Sequence, residues 1–263
     1  MHSHSHSHAH SHASVDYSRA FMIGVALNSA FVITEVVYGL SANSLALISD
    51  AGHNLSDVLG LVLAWAAIRL SRSRPTARRT YGLRRSSILA ALANAALLLF
   101  VTGAITVEAV RRLWNPEPVV ASTIMWVAAV GVLINGVTAA MFASGRKRDI
   151  NIRGAFAHMA SDALIALGVV LTGFAIRGTG WLWLDPVASI GIGLIIAVGT
   201  WSLLRESINL AMDAVPENVD AGAVESMLAS IDGVSAVHDL HIWAMSTTET
   251  CLDSSSRCTG RPS

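Results

Sequence analysis

The stretch Leu45-Ala-Leu-Ile-Ser-Asp-Ala-Gly-His-Asn-Leu-Ser-Asp57 places His53 and Asp57 four residues apart within an apolar run, and His158-Met-Ala-Ser-Asp162 repeats that spacing in a second run. Each run is long enough to cross a membrane as a helix. Residues four apart share one helix face. Ionisable groups are rare in lipid and mark a pathway or a binding site when they occur. Two His and two Asp are four ligands of the kind zinc accepts in tetrahedral geometry. The pattern therefore predicts one metal site, made of His53, Asp57, His158 and Asp162 and shared between two transmembrane helices.

Composition supports a membrane setting. The 263 residues are 53% hydrophobic and 14% charged, with a mean hydropathy of +0.54, too apolar for an ordinary soluble domain of this size. The formal net charge of zero hides an asymmetry. Residues 1–205 carry sixteen Arg and Lys against nine Asp and Glu, whereas residues 206–263 carry two against nine. Cys251 and Cys258 are the only cysteines. A disulfide framework and a thiolate site in the membrane are thereby excluded, and copper(I), which favours soft ligands, is disfavoured.

Segments of about 20 apolar residues run from Phe21 to Leu40, Leu45 to Ile68, Ser87 to Val110, Val119 to Ala143, Ile152 to Ile176 and Pro186 to Leu204, which predicts six spans. Seven Arg lie between Arg69 and Arg85, and Arg146, Lys147, Arg148 and Arg153 lie between the fourth and fifth spans. The positive-inside rule then puts both termini in the cytoplasm and Trp114, Trp181 and Trp183 at the outer interface. Spans two and five run antiparallel in this topology. His53 lies outward of Asp57 and His158 inward of Asp162, so the expected pairs at equal depth are His53 with Asp162 and Asp57 with His158. Inverted motifs meeting at mid-membrane are a common layout in secondary transporters.

Asn28 and Glu35, seven apart, share a helix face. Asn94 and Asn135 are expected to hydrogen-bond between helices, with a direct role in transport as the weaker alternative. Asp50 and Asn54 are candidates to orient His53 and Asp57, against capping or packing for Asp50. A purely structural role for the two His/Asp pairs leaves their carboxylates without an intramembrane Lys or Arg, which is costly. An intramembrane zinc hydrolase is a weaker alternative. Neither motif has the His-Glu-x-x-His pattern, and four coordinating side chains leave no open position for a catalytic water. A membrane-bound metal sensor is the other alternative.

Longer stretches extend the pattern. Asn43 through Asp57, Tyr81-Gly-Leu-Arg-Arg85, Asn151 through Asp162, Asp185-Pro186 and Val237-His-Asp-Leu-His-Ile-Trp243 together resemble the cation diffusion facilitator family, most closely its cobalt, zinc and cadmium resistance branch of bacterial exporters. The resemblance covers about residues 15 to 249. It implies an all-α membrane domain of six helices with cytoplasmic termini, a following ferredoxin-like αββαβ domain, a homodimer, and exchange of divalent metal for protons. The family's transport site falls on His53, Asp57, His158 and Asp162. Two departures are visible. Arg69 to Arg85 contains no His, Asp, Glu or Cys, so the second metal site that some relatives carry there is not expected. The sequence also turns aperiodic after Thr250, as if the ferredoxin-like domain were truncated.

The expected organisation is a disordered His-rich tail over 1–14, the transport domain over 15–207, a partial ferredoxin-like domain over 208–250 and an unstructured end over 251–263. Within the third unit, Val219 to Ser230 reads as a helix and Val234 to Met245 as a strand. Six His among the first twelve residues suit weak zinc capture in a low-complexity tail, and that tail lacks the apolar core of a signal peptide. The functional expectation is a multi-pass cell-membrane exporter of chiefly Zn2+, with Co2+ and Cd2+ as further substrates, working as a metal/proton antiporter by alternating access. It is expected to need no cofactor beyond the transported metal, to be no enzyme and to have no nucleic-acid partner.

Overall fold

The computed structural model describes residues 18–71, 73–143 and 150–258. Its order is α1 (Ser18–Ser41), α2 (Leu45–Ser71), α3 (Ser86–Trp114), α4 (Ala121–Phe142), α5 (Ile150–Thr179), α6 (Leu184–Ala211), α7 (Ala221–Ala229), β1 (Val234–Ala244) and β2 (Thr250–Cys258). Five of these helices, α2 to α6, are long and apolar enough to cross a membrane, and an apolar segment of α1 runs over Val25–Ser41. The protein is therefore a multi-pass membrane protein. Helices α2, α3 and α6 continue beyond the apolar segments, α6 from Leu204 to Ala211. Hydropathy marks the depth of lipid, whereas the backbone hydrogen-bond ladder that defines a helix continues into water.

Helix α4 packs most extensively on α5 and α3 on α6, with α2 set against α3 and α1. Phe31, Leu47, Leu98, Ile124, Val169 and Ile196 form much of the shared core. Small residues permit the close approaches, as expected where dispersion rather than hydrophobicity drives helix association in lipid. A Cβ on Gly173 would stand 2.9 Å from Met125 Cγ across the α4–α5 contact, and one on Gly193 would stand 2.9 Å from Thr106 Oγ1 across α3–α6.

The start of α2 is tied down by another helix. Its first N–H groups lack intrahelical partners, and the sequence provides no acidic residue in its first turn. Asp185, fully buried at the start of α6, accepts hydrogen bonds from Ser44 Oγ at 2.5 Å, Leu45 N at 2.7 Å and Ala46 N at 3.4 Å. One turn further in, Ser49 and Ser189 hydroxyls lie 2.7 Å apart. Beside this contact, Asn43 takes a left-handed φ of 54°, which Asn tolerates better than most side chains. Arg112 donates to the Asn43 carbonyl at 2.7 Å and to its side-chain oxygen at 2.9 Å, and Asn43 Nδ2 donates to Glu117 at 2.9 Å. The α1–α2 and α3–α4 turns are thus joined at one end of the bundle. Trp114, Trp181 and Trp183 are all exposed near that end, and the last two rings stack at 5.7 Å.

The segment after α6 departs from expectation. Asp220 caps α7 by accepting from Gly222 N at 2.9 Å and Ala223 N at 3.1 Å. Residues 251–258, expected to be unstructured, instead belong to β2, antiparallel to β1 with His241 opposite Asp253 and Ala244 opposite Thr250. The connecting turn explains the difference. Ser246 Oγ accepts from Thr248 N at 3.2 Å and Glu249 N at 3.0 Å, and Met245 N donates to the Glu249 carbonyl at 2.8 Å. A turn of that kind fixes the register of a hairpin, and a solvated strand can pair through its backbone without an apolar period. The hairpin turn rests on the start of α3, where Thr247 N donates to Ser87 Oγ at 3.1 Å and Arg84 pairs with Glu249 at 3.0 Å. Arg85 pairs with Asp213 nearby. The His-rich tail and residues 259–263 lie outside the described residues.

Candidate metal centre

Helices α2 and α5 touch each other over only a short stretch, each packing mainly against other helices. Four polar side chains meet in that narrow seam. His53 Nε2 lies 3.4 Å from Asp162 Oδ1 and 3.8 Å from Asp57 Oδ2 on its own helix. His158 Nε2 lies 3.3 Å from Asp57 Oδ2 and 3.7 Å from Asp162 Oδ2 on its own helix. The closer neighbour of each imidazole is therefore the carboxylate of the opposite helix, the pairing expected of antiparallel spans at equal depth. The two rings stand edge-on with centroids 6.2 Å apart. His53, Asp57 and Asp162 each offer a ligand atom within 4.8 Å of the others, and His158 falls outside that compact group, reaching it through Asp57 and Asp162.

These separations are long for charged hydrogen bonds, which draw N and O to about 2.7–2.9 Å. They match another geometry. Bonds of about 2.1 Å to a tetrahedral ion hold neighbouring ligand atoms about 3.4 Å apart. Asp57 Oδ2 and both oxygens of Asp162 are buried and accept no hydrogen bond. Acceptors left bare in a membrane interior are expensive, and a divalent cation between the four side chains would satisfy all of them. Exposure is graded across the group, from 1% for Asp162 through 17% for His53 and 26% for Asp57 to 42% for His158. His158 and Asp57 are thus the more open pair, and all four side chains line a cavity of about 430 Å³ together with Asn94, Thr200 and Leu203.

The surrounding polar residues do less for the candidate ligands than their sequence positions suggest. Asn54 donates to Glu35 at 2.9 Å rather than to His53 or Asp57. Neither oxygen of Asp50 accepts a hydrogen bond, and His53 Nδ1 has no partner. The expected interhelical hydrogen bonds of Asn94 and Asn135 are likewise not formed through their oxygens, both of which are buried and unpartnered. The residue that most visibly positions this region is Asp185. The Asp185-Pro186 dipeptide stands out in the sequence, but nothing local shows that its carboxylate caps a helix 140 residues earlier.

Comparison with known proteins places the chain in a family. A family profile described as the cation efflux transmembrane domain matches residues 21–210. The metal cation efflux system protein CzcD of Cupriavidus metallidurans is 41% identical over 234 residues, which cover 89% of this chain and 74% of that protein. The cadmium, cobalt and zinc/H(+)-K(+) antiporter of Bacillus subtilis is 34% identical over 87% of this chain and 74% of its own length. The zinc transporter ZitB of Escherichia coli is 35% identical over 86% of this chain and 73% of its own. The chain belongs to the cation efflux, or cation diffusion facilitator, family.

Proposed function

We propose that this member of the cation efflux family exports Zn2+ chiefly, and Co2+ and Cd2+ as further substrates, by exchange for protons, with His53, Asp57, His158 and Asp162 as the transport site. The observation that carries the reading is the set of cross-helix separations of 3.3 and 3.4 Å, close to the ligand spacing of a tetrahedral zinc ion. Two ionised carboxylates neutralise the charge of a divalent cation, and two neutral imidazoles complete the ligand set. Copper(I) fits poorly among nitrogen and oxygen donors.

The proton coupling follows from the ligands. Zinc and protons use the same lone pairs on imidazole and carboxylate, so metal affinity falls as the medium acidifies. A site facing the cytoplasm loads zinc, and the same site facing a more acidic exterior exchanges the metal for protons. Alternating access would come from movement along the α2–α5 seam, the least packed contact near the site. In this reading α1 is a sixth span and both termini are cytoplasmic, as the Arg-rich 69–85 segment favours. The end of the bundle bearing Arg112 and Asp185 then faces outward. Segment α7–β1–β2 would be part of a cytoplasmic ferredoxin-like unit, and the family resemblance supports a homodimer. The His-rich tail would collect zinc at the inner surface.

The test is zinc uptake into inside-out vesicles containing the full chain. Uptake should require an acidic lumen and stop when the gradient collapses, and Asp162→Ala should abolish it while the protein still inserts. Undiminished flux in Asp162→Ala would refute the site. Flux indifferent to the gradient would refute antiport, and zinc binding without any flux would favour a sensor.

A further inference from the structure

Among the described residues, three cavities lie along α2 and α3. The one at the four candidate ligands measures about 430 Å³. A second, of about 320 Å³, runs between Ser71, Ser87 and the Ser246–Thr248 turn at the Arg-rich end. A third, of about 310 Å³, lies between Asn28, Asp57, Thr138 and His158. Asn94 lines all three, and among the described residues it is the one side chain common to them. It is held there by close packing. A Cβ on Gly60 of α2 would stand 3.1 Å from Asn94 Nδ2, so the glycine leaves room for the α3 amide close against that helix. Asn94 Oδ1 is buried and accepts no hydrogen bond, which is costly for an amide oxygen unless something visits it.

We propose that Asn94 is a relay ligand, whose side-chain oxygen takes the place of one hydration water on a divalent cation moving from the Arg-rich end to the His/Asp site. This deepens the reading above and rests on it. The chemistry suits a passing ion. Binding among four side-chain ligands requires the loss of hydration water, and a neutral oxygen donor compensates part of that loss. Being uncharged, it also holds the ion weakly enough to release it to the carboxylates and imidazoles beyond. A carboxylate at the same point would trap the ion, and an apolar side chain would leave a gap in its coordination along the path.

The test uses the full chain reconstituted in vesicles, with Zn2+ as the probe, and measures initial flux together with equilibrium zinc affinity. Asn94→Leu should slow flux roughly tenfold or more, the size of loss expected when a group supporting a metal site is removed, while equilibrium zinc affinity is unchanged. Asn94→Gln, which keeps the oxygen, should recover much of the rate. Asn94→Asp should lower the zinc concentration for half-maximal flux and also lower the flux at saturation, a split that a packing defect does not produce. Wild-type flux in Asn94→Leu would overturn the proposal. So would a loss of affinity in proportion to the loss of flux, or an Asn94→Asp protein unchanged in both readings. Asp162→Ala measured alongside separates the two levels. Normal transport in that variant refutes the site itself, whereas its failure beside normal Asn94→Leu flux refutes only the relay.

Discussion

The two ends of the helix bundle are held together by different means. At the end bearing Asp185, buried groups make short hydrogen bonds between elements far apart in sequence, and Arg112, 11% exposed, is enclosed by Asn43, Glu108 and Glu117. At the opposite end the links are ion pairs such as Arg84–Glu249, in which both partners are about half exposed. A cavity opens there between α2, α3 and the hairpin turn. Buried polar contacts lose much when one partner is removed, because the other is left unsatisfied. Exposed pairs contribute little and are screened by salt. The contrast describes a molecule shut at the Asp185 end and loosely covered at the Arg-rich end, with the four candidate ligands between. For an exporter with the proposed orientation, that is the loading state.

The largest effect should come from preventing the shut end from opening. In a Cys251→Ser, Cys258→Ser background, Asn43→Cys with Glu117→Cys places two thiols where the native side chains now lie 2.9 Å apart. A short bifunctional thiol reagent should stop zinc turnover while leaving zinc binding from the Arg-rich side intact, and turnover that survives full cross-linking would break the comparison. Next in size is Asp185→Ala, which strips the acceptor from Ser44 and from the first N–H groups of α2. Caps of this type contribute about 0.5–2 kcal/mol, so the thermal midpoint should fall and zinc affinity should fall with it as α2 loses its anchor. An unchanged melting profile would show that the cap is incidental.

His53→Asp should alter selectivity more than stability. A third carboxylate keeps four ligands but makes the site harder, so Mn2+ flux should rise relative to Zn2+ flux, as competition between the two ions in vesicles would show. The smallest effect belongs to the exposed end. Arg84→Ala should change stability by less than about 0.5 kcal/mol, and a large loss would mean that the hairpin contact matters more than its exposure suggests.

Much of the site is legible in the amino-acid sequence. The spacing of His53 with Asp57 and of His158 with Asp162, combined with the distribution of Arg, is enough to pair each His with the Asp of the other helix. Those inferences depend on helical period and on charge bias, both local properties of sequence. Three features are not legible, for a common reason. Asp185 caps α2 from a distant helix, Asn54 turns to Glu35 rather than to a candidate ligand, and Asn94 lines three cavities. Each depends on which helices pack together and at what rotation, and uniformly apolar spans carry little information about that. Strand β2 escapes a reading of periodicity because its pairing comes from backbone groups and from the Ser246 turn, not from an apolar pattern.

The central claim is that one metal ion is held jointly by α2 and α5, and X-ray absorption at the zinc edge of the zinc-loaded protein tests it most directly. The account predicts four light-atom neighbours at about 2.0–2.2 Å, two of them imidazoles, with one imidazole contribution lost in His53→Ala and one in His158→Ala. A zinc spectrum unchanged by His158→Ala, or one showing six oxygen neighbours, would contradict it.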